Sequence, residues 1–170
     1  MREQYAVAVR PLTKKNSKSF LTMVNALADF EHLKRPTTAA RTQLLRDAFG
    51  RRKRFQGFLA FVNEKAVGYA IIFETYSSFL AQPTLYLEDI FVLPEFRKQR
   101  VGIELFRTCV AEASKRGCGR MEWMVLDWNM NAIHFYDRLG ARRMKEWLPY
   151  RLSEKEFGKL LWKKDRRPRS

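Results

Sequence analysis

Apolar residues recur at two spacings along the first half of the chain, and each spacing predicts one type of element. Alternation over residues 5–10 predicts a strand that stops at Pro11. Helical spacing predicts a helix from Ser17 to about Leu33, and Thr38 is predicted to cap a second helix that ends at Gly50. Three apolar runs separated by polar turns then predict an antiparallel meander of strands over 57–62, 66–73 and 84–92.

The second half of the chain alternates between helical and strand spacing. The predicted elements are, in order, a helix from Gly102 to about Gly117, a strand over 121–126, a helix over 131–139, a strand from Ala141 onward, and a short helix that a capping-box pattern begins at Ser153 and that runs through Trp162. A meander followed by such a series predicts an α+β (mixed α/β) fold with helices on both faces of the sheet.

The composition excludes a disordered chain and a membrane-spanning one. The 170 residues are 46% hydrophobic and 14% aromatic, and a chain with this apolar content folds around a core. No apolar run reaches the ~18–20 residues that cross a bilayer, and residues 1–4 lack the pattern of a signal peptide. We therefore expect a single cytoplasmic domain over 1–162, followed by a basic tail over 163–170.

Charge and cysteine content leave the function open. The 33 Lys and Arg residues against 18 Asp and Glu residues give a net charge of +15, which is typical of a protein that meets phosphates but does not say which. Part of this charge lies in residues 51–54 and in the tail, where a solvated surface is an equally good interpretation. Cys109 and Cys118 lack the spacing of a metal site or a disulfide framework, so no metal is expected.

The segment from Phe91 to Ile103 contains a candidate phosphate-binding loop. A predicted strand ends here, the basic loop 97–100 follows, and a helix begins around Gly102. A helix N-terminus offers unpaired N–H groups and a positive dipole end, and glycine allows close approach to the backbone. The alternative is a solvated basic loop without a ligand.

Glu88 and Asp89 are adjacent carboxylates in the middle of an apolar predicted strand. Side chains alternate across a strand, so the two carboxylates are expected on opposite faces, where helices would remove each from water. A carboxylate whose pKa is raised by burial is suited to act as a general base near neutral pH. The alternative is a structural carboxylate paired with one of the many arginines, and it applies more readily to Asp89 than to Glu88.

Residues 127–141 form a third candidate segment, in which a strand end and a turn with two asparagines precede a helix. Tyr136 lies near the end of this helix, and a tyrosine at such a position is ordinarily part of a core. His134 is likewise more typical of an exposed helix position than of a catalyst. Neither residue identifies an enzyme by itself.

The order of these features resembles the GNAT superfamily of acetyl-CoA-dependent N-acetyltransferases from Val9 to about Leu152. The shared pattern is a strand with a carboxylate, an Arg-x-x-x-x-Gly loop, a helix, a strand, an Asn-rich turn and Ala-x-x-Phe-Tyr-x-x-x-Gly-Ala. Within the superfamily the chain is similar to the spermidine/spermine (diamine) N-acetyltransferases through residues 85–92, 128–129 and 133–136. The resemblance implies the GNAT fold, with a central mixed, mostly antiparallel sheet of six to seven strands, and a homodimer.

The resemblance also implies roles for individual residues. Acetyl-CoA would be bound by Ile90, Phe91, Val92, Arg97, Lys98, Gln99, Arg100, Val101, Gly102, Ile103, Asn129, Asn131 and Ala132. The acceptor pocket would be lined by Phe30, Glu31, Asp89, Glu122, Trp123 and Met124. Tyr136 would protonate the departing CoA thiolate, and Glu88 would take a proton from the attacking ammonium through water. A main-chain N–H at the end of the strand would polarise the thioester carbonyl.

Two departures from the family pattern bear on ligand binding. Arg100 stands where the family loop has its first glycine, and a positive φ at this residue would have an energetic cost. Acetyl-CoA binding would then be weakened, or the extra guanidinium would contact a phosphate directly, and we favour the second. Polyamine enzymes of this type carry acidic residues after the Glu31 position, whereas residues 33–36 here are Leu-Lys-Arg-Pro. Because a strongly positive surface repels polycations within a Debye length of ~8 Å, a short or less charged amine is at least as good a substrate as spermidine.

Three functions remain open on the sequence. The leading one is an N-acetyltransferase that moves the acetyl group of acetyl-CoA to a small primary amine by direct attack. The second is a GNAT enzyme that acetylates a protein lysine or N-terminus and docks through its basic surface. The third is a non-catalytic domain that binds nucleic acid, for which a steep salt dependence of binding would be diagnostic, and which the presence of both Glu88 and Tyr136 disfavours.

Overall fold

Residues 6–161 are described in the computed structural model, and their strands form one sheet in sequence order. The elements up to residue 124 are β1 (Val7–Pro11), α1 (Ser17–Phe30), α2 (Thr38–Phe49), β2 (Gln56–Val62), β3 (Lys65–Ser77), β4 (Gln82–Val92), α3 (Val101–Lys115) and β5 (Arg120–Glu122). The strands β1 to β4 pair with one another in antiparallel fashion, and β5 pairs with β4 in parallel. The predicted meander and the α+β class are confirmed.

The expected number of six to seven strands is wrong for the described residues, which contain five. The strand predicted over 121–126 is confined to β5, because its ladder with β4 covers only residues 120–122. No strand follows Ala141 up to residue 161, since residues 142–152 are all exposed and Arg142 and Arg143 interrupt the apolar alternation. Without burial or a paired neighbour, an extended segment gains little from adopting a strand.

Helices cover both faces of the sheet, as predicted. On one face Phe20 and Met23 of α1 pack in a buried cluster with Tyr69 of β3 and Phe91 of β4. On the other face Leu105 of α3 lies close to β3, and a Cβ at Gly68 would come within 3.2 Å of its side chain and 2.7 Å of the Phe91 carbonyl oxygen. Glycine at position 68 therefore allows α3 and β4 to approach β3 closely.

The predicted helices are found within three residues of their predicted bounds where these are described, and α1 ends at Phe30 rather than near Leu33. Thr37, not Thr38, caps α2, because its hydroxyl accepts a hydrogen bond from the Ala40 backbone N–H at 3.2 Å. A threonine before the first helical residue can satisfy one of the orphan N–H groups there, whereas Thr38 is already helical. No helix in residues 6–161 has both the length and the apolar character needed to cross a membrane.

The chain divides into two compact units, Met1–Met124 and Val125–Ser170. The described part of the second unit contains α4 (Met130–Arg138) and α5 (Glu154–Leu161). The predicted capping box of α5 is present in part, since the Glu156 carboxylate accepts a hydrogen bond from the Ser153 N–H at 2.9 Å. The predicted end of this helix at Trp162 and the predicted basic tail over 163–170 lie outside the described residues.

Candidate active site

A β-bulge in β4 sets the positions of the two candidate carboxylates. Asp89 pairs with Ile71 and Leu87 pairs with Ile72, so Glu88 is an extra residue without a partner in the ladder. Glu88 is exposed, which corrects the expectation that burial removes it from water. The alternation assumed for a regular strand fails here because the bulge turns this one residue out of register. Asp89, by contrast, is half-buried.

Asp89 has a hydrogen-bond partner that the sequence did not reveal. The hydroxyl of Tyr69, a fully buried residue of β3, donates to the Asp89 carboxylate at 2.9 Å. Burial raises the pKa of Asp89 to about 6, the Tyr69 hydrogen bond opposes this rise, and the charges of Glu88 and Glu31 add to it. The only sequence signal for Tyr69 was its place as the one tyrosine of the predicted strand 66–73, since a buried phenol needs an acceptor.

The end of α1 brings two predicted acceptor residues to the same face of the sheet. The ring of Phe30 lies 6.0 Å from the ring of Phe91. Glu31 follows directly, and its partial burial raises the pKa of its carboxyl. We call Glu31, Tyr69, Glu88 and Asp89 the carboxylate cluster, because the charges of Glu31 and Glu88 both act on Asp89 and on Tyr69. A concentration of negative charge of this kind attracts an ammonium group.

The other three predicted acceptor residues have different contacts. Glu122 forms an ion pair with Arg120 at 2.9 Å. The indole of Trp123 packs edge to face on Phe106 of α3, with ring centroids 5.5 Å apart, and Met124 is exposed. The structure thus brings Phe30, Glu31 and Asp89 together on the side of α1, while Trp123 contacts the helix on the other face.

The last residues of β4 leave one backbone edge of the sheet open. The parallel ladder with β5 stops at Tyr86, and no other strand of residues 6–161 pairs with this edge over 87–92. The Leu93 N–H donates to the Val67 carbonyl, and backbone groups alternate in direction along an antiparallel strand, so those of Val92 and Ile90 face the open edge. An extended ligand can add to such an edge as a strand would.

The loop that follows has an unusual backbone. Lys98 and Arg100 have φ values of 60° and 67°, which confirms the positive φ predicted for Arg100. Left-handed residues in a turn direct successive N–H groups into an anion-binding concavity, and the N-terminus of α3 lies immediately after it. A Cβ at Gly102 would meet only a Val92 methyl at 3.8 Å, so the packing of the chain itself does not require glycine there.

The basic side chains of the loop point in different directions. Arg100 is exposed and lies 3.8 Å from Glu104, one helical turn further along α3. Lys98 is also exposed, whereas the Gln99 amide donates to the Glu95 carbonyl at 2.8 Å. Arg97 is folded back on the sheet, where its Nε donates to the Val92 carbonyl at 3.0 Å. Two cationic side chains and the N–H groups of a helix start therefore fit the phosphates of a nucleotide-containing ligand.

The second unit carries the remaining predicted residues. Asn129 caps α4, and its side-chain oxygen accepts from the Ala132 N–H at 3.2 Å. Asn131 in the first turn is exposed. Tyr136 is buried, and its ring lies 5.3 Å from that of Phe135. The predicted helix and the burial of Tyr136 are confirmed.

Known proteins resemble this chain over most of its length. A thialysine N-epsilon-acetyltransferase from Caenorhabditis elegans is 29% identical over 152 residues, which cover 88% of this chain and 93% of that protein. An L-ornithine N5-acetyltransferase from Arabidopsis thaliana is 44% identical over 86 residues, or 51% of this chain and 38% of the plant protein. The matched segment therefore spans much less than two thirds of the length of the plant relative.

The fold of this chain is also found in solved structures. The structure of an aminoglycoside N-acetyltransferase in complex with CoA superposes with a TM-score of 0.67 at 21% identity, covering 89% of this chain and 98% of that one. The sequence profile of the acetyltransferase (GNAT) family matches residues 21–141, which include the strands β2 to β5, the bulge, the loop and α4. These residues make up most of the chain, and the chain therefore belongs to the acetyltransferase (GNAT) family.

Proposed function

We propose that this protein is an N-acetyltransferase that moves the acetyl group of acetyl-CoA to the primary amine of a small substrate by direct attack. The observation that carries the proposal is the end of β4, where an open backbone edge, a bulged carboxylate and a cationic loop occur within residues 88–103. An acetyl donor and an amine must meet at one place, and this strand offers groups suited to each. Membership of the GNAT family supports the same assignment.

Acetyl-CoA supplies an activated acetyl thioester, and the residues of the first unit suit its parts. We assign the pyrophosphate to the N–H groups of the loop 97–103 and to Lys98 and Arg100, because these cations are exposed. The close approach that Gly102 permits is consistent with this role. The pantetheine arm is assigned to the open edge at 90–92, and Asn129, Asn131 and Ala132 of the second unit are proposed as further cofactor contacts.

The acceptor must lose a proton before it can attack. An alkyl ammonium of the lysine type has a pKa near ~10.4, so almost none of it is nucleophilic at neutral pH. We assign the general base to Glu88, which the bulge exposes to water, so that a water molecule can relay the proton. Glu31 and Asp89 are assigned to binding the ammonium, with Phe30 as an apolar wall.

The transfer forms an N–C bond and breaks the C–S bond of the thioester. The electron pair of the C–S bond leaves with sulfur, and we assign Tyr136 to donate the proton that converts the thiolate to a thiol. The proton released by the amine passes to Glu88 and from there to solvent. A backbone N–H at the open edge of β4 is assigned to stabilise the negative charge that develops on the carbonyl oxygen.

A small amine of low positive charge is the substrate class we favour. Two of the relatives are named for thialysine and ornithine, amino acids that carry a carboxylate beside their amines, and another is named for spermidine/spermine. The net charge of +15 disfavours a polycation such as spermidine. Glu122, Trp123 and Met124 remain proposed walls of the acceptor pocket, and the homodimer and the cytoplasmic location remain predictions.

A protein acceptor is the second candidate, and one observation favours it. Residues 51–54 place four consecutive cations on an exposed loop between α2 and β2. Such a loop is suited to docking an acidic protein that presents a lysine or an N-terminus. The two candidates differ in substrate size and share the same chemistry.

The test is acetyl-CoA-dependent release of free thiol over a panel of amines. The panel contains thialysine, ornithine, lysine, diaminopropane, spermidine and peptides of both acidic and basic sequence, and Tyr136→Phe is assayed alongside. Turnover of a small amine that the variant loses supports the proposal. Turnover of acidic peptides alone favours the protein acceptor, and failure to bind acetyl-CoA contradicts both.

A further inference from the structure

The side chain of Arg97 is folded against the sheet, whereas those of Lys98 and Arg100 in the same loop are exposed. Its guanidinium carbon is 4.5 Å from the centre of the Phe30 ring and 5.8 Å from that of Phe91. Its Nε donates to the carbonyl of Val92 at 3.0 Å. Burial lowers the pKa of the guanidinium, while the nearby charge of Glu95 opposes this change. The group is thus half-buried and held by aromatic faces and a backbone oxygen.

These contacts join three parts of the proposed site. Phe30 is the last residue of α1 and precedes Glu31 of the carboxylate cluster. Phe91 and Val92 belong to the open edge of β4, and Arg97 itself begins the loop 97–103. A planar guanidinium can stack on two rings and still donate in its plane, which a lysine ammonium cannot do.

We infer that Arg97 is a positioning residue that fixes the amine-binding wall at Phe30 and Glu31 to the end of β4, rather than a ligand of the CoA phosphates. The inference rests on the proposed function, because it assigns Phe30 and Glu31 to the amine and the end of β4 with the following loop to acetyl-CoA. The main chain of the loop still binds the pyrophosphate. Loss of the Arg97 side chain then releases the end of α1 and leaves the phosphate cradle in place.

Three substitutions separate positioning from phosphate binding. Arg97→Gln removes the charge and the stack, whereas Arg97→Lys keeps the charge and loses the planar stack. Arg10→Gln is the matched control, because Arg10 of β1 also lies over a phenylalanine ring, that of Phe61 at 4.8 Å, although its hydrogen-bond acceptor is the Glu64 carboxylate rather than a backbone oxygen. All three proteins are compared with the wild type for steady-state kinetics and for the dissociation constant of acetyl-CoA.

The expected result is a split between the two substrates. Arg97→Gln raises KM for the amine by about tenfold, as expected for loss of a desolvated cation–π contact, and leaves the acetyl-CoA dissociation constant within about twofold. Arg97→Lys does not restore KM, and Arg10→Gln behaves as the wild type. The inference is overturned in favour of a phosphate contact by the following result. Arg97→Gln binds acetyl-CoA more weakly, Arg97→Lys restores this binding, and the turnover of S-acetylpantetheine, which lacks the pyrophosphate, is unchanged. Unchanged values for both substrates overturn it as well.

Amide hydrogen exchange tests the inference without any turnover. The N–H groups of Glu31 and Leu33 donate to the carbonyls of Leu27 and Ala28 at the end of α1, at 2.9 and 2.8 Å. Arg97→Gln is expected to speed exchange in a peptide covering 27–33 by at least about fivefold, and Arg10→Gln is expected to leave it unchanged. Unchanged exchange in Arg97→Gln overturns the inference. A wild type that acetylates no amine contradicts the proposed function, and this measurement still decides the role of Arg97.

Discussion

The hydroxyl of Tyr69 donates a hydrogen bond to the carboxylate of Asp89 at 2.9 Å, across the two central strands of the sheet. Burial alone raises the pKa of Asp89, and this hydrogen bond favours the charged form against that tendency. With a pKa of about 6, Asp89 is mostly ionised at neutral pH although it is half-buried. Tyr69 thus helps to keep a negative charge on the face where we place the amine.

Asp89→Asn is expected to stabilise the protein at neutral pH. The folded-state pKa of Asp89 is raised from 3.8 to about 6, so the carboxyl costs stability above pH 6 and this cost disappears as the pH falls toward 4. The shift corresponds to about 3 kcal/mol as an upper bound. Denaturant unfolding at pH 7.5 and pH 4 measures the difference between variant and wild type.

Two other carboxylates, Glu31 and Asp29, serve as controls when the stabilities of Asp89→Asn and the wild type are compared. Burial also raises the pKa of Glu31, and this carboxyl still titrates in Asp89→Asn. Part of the loss of stability that the wild type shows as the pH rises therefore remains in the variant. Asp29 has a lowered pKa because of its hydrogen bond with Arg35, and its contribution runs in the opposite direction in both proteins. If the variant and the wild type are equally stable at each of the two pH values, burial of the Asp89 carboxylate does not destabilise the folded protein.

Tyr69→Phe is expected to destabilise the protein more at pH 7.5 than at pH 5. Without its donor, the Asp89 carboxylate is left with less stabilisation and its pKa rises above about 6. A hydrogen bond to a charged group contributes about 1.5–3 kcal/mol, and less once the carboxyl is protonated. A double-mutant cycle with Asp89→Asn measures the coupling, and a coupling near zero at both pH values contradicts the role given to Tyr69.

The sequence predicted those helices and strands whose regularly spaced apolar residues are buried on one face of the element. The meander, α1, α3 and α4 follow from this, because each buries a stripe or an alternating face. It failed where pairing decides the structure. Apolar residues continue to Leu126, but β5 stops at Glu122 when its ladder with β4 ends.

The candidate site was predictable in its residue types but not in its local geometry. A one-residue bulge is invisible in an apolar alternation, so the exposure of Glu88 could not be anticipated. The Tyr69 hydrogen bond depends on a diagonal approach between two strands, which requires their register. The positive φ of Arg100, by contrast, could be predicted, because a glycine in the family motif marks a backbone conformation rather than a side chain.

Glu88→Gln is expected to lower kcat by about 100-fold or more, because it removes the general base without changing side-chain shape. Initial rates over a range of amine concentrations at pH 7.5 give kcat and KM. Asp89→Asn, in the same assay, is expected to raise KM for the amine instead. Glu64→Gln, an exposed carboxylate on the β2–β3 turn, serves as the control. An unchanged kcat in Glu88→Gln assigns the base to another group.

Tyr136→Phe is expected to lower kcat by about 100-fold while acetyl-CoA binds with unchanged affinity. The hydroxyl acts only as the C–S bond breaks, so its loss affects the transition state and not the ground state. Calorimetric titration and initial rates give the two quantities. Tyr150→Phe removes a hydroxyl from a side chain that is 93% exposed in the same unit and controls for the substitution itself. Undiminished turnover in Tyr136→Phe removes this residue from the mechanism.

Arg100→Gly separates backbone strain from phosphate binding, because the two have opposite consequences. A left-handed arginine costs about 1–2 kcal/mol, while glycine adds about 0.5–1 kcal/mol of chain entropy to lose, so a net gain of up to about 1 kcal/mol in unfolding free energy is expected. The exposed contact with Glu104 offsets little of this gain. Acetyl-CoA is expected to bind about tenfold more weakly, since a charge-assisted contact is lost.

The matched control for Arg100→Gly is Ala81→Gly, at another exposed left-handed position with φ of 50° on the β3–β4 turn. It relieves similar strain outside the proposed cofactor loop, so the same small rise in stability is expected with no change in acetyl-CoA affinity. The salt dependence of acetyl-CoA binding adds a second criterion, because a lost cation makes the affinity of Arg100→Gly fall less steeply with salt than that of the wild type. Tighter binding of acetyl-CoA by Arg100→Gly would mean that strain in the loop outweighs any contact of the guanidinium, and that the family glycine is the better residue for this cofactor.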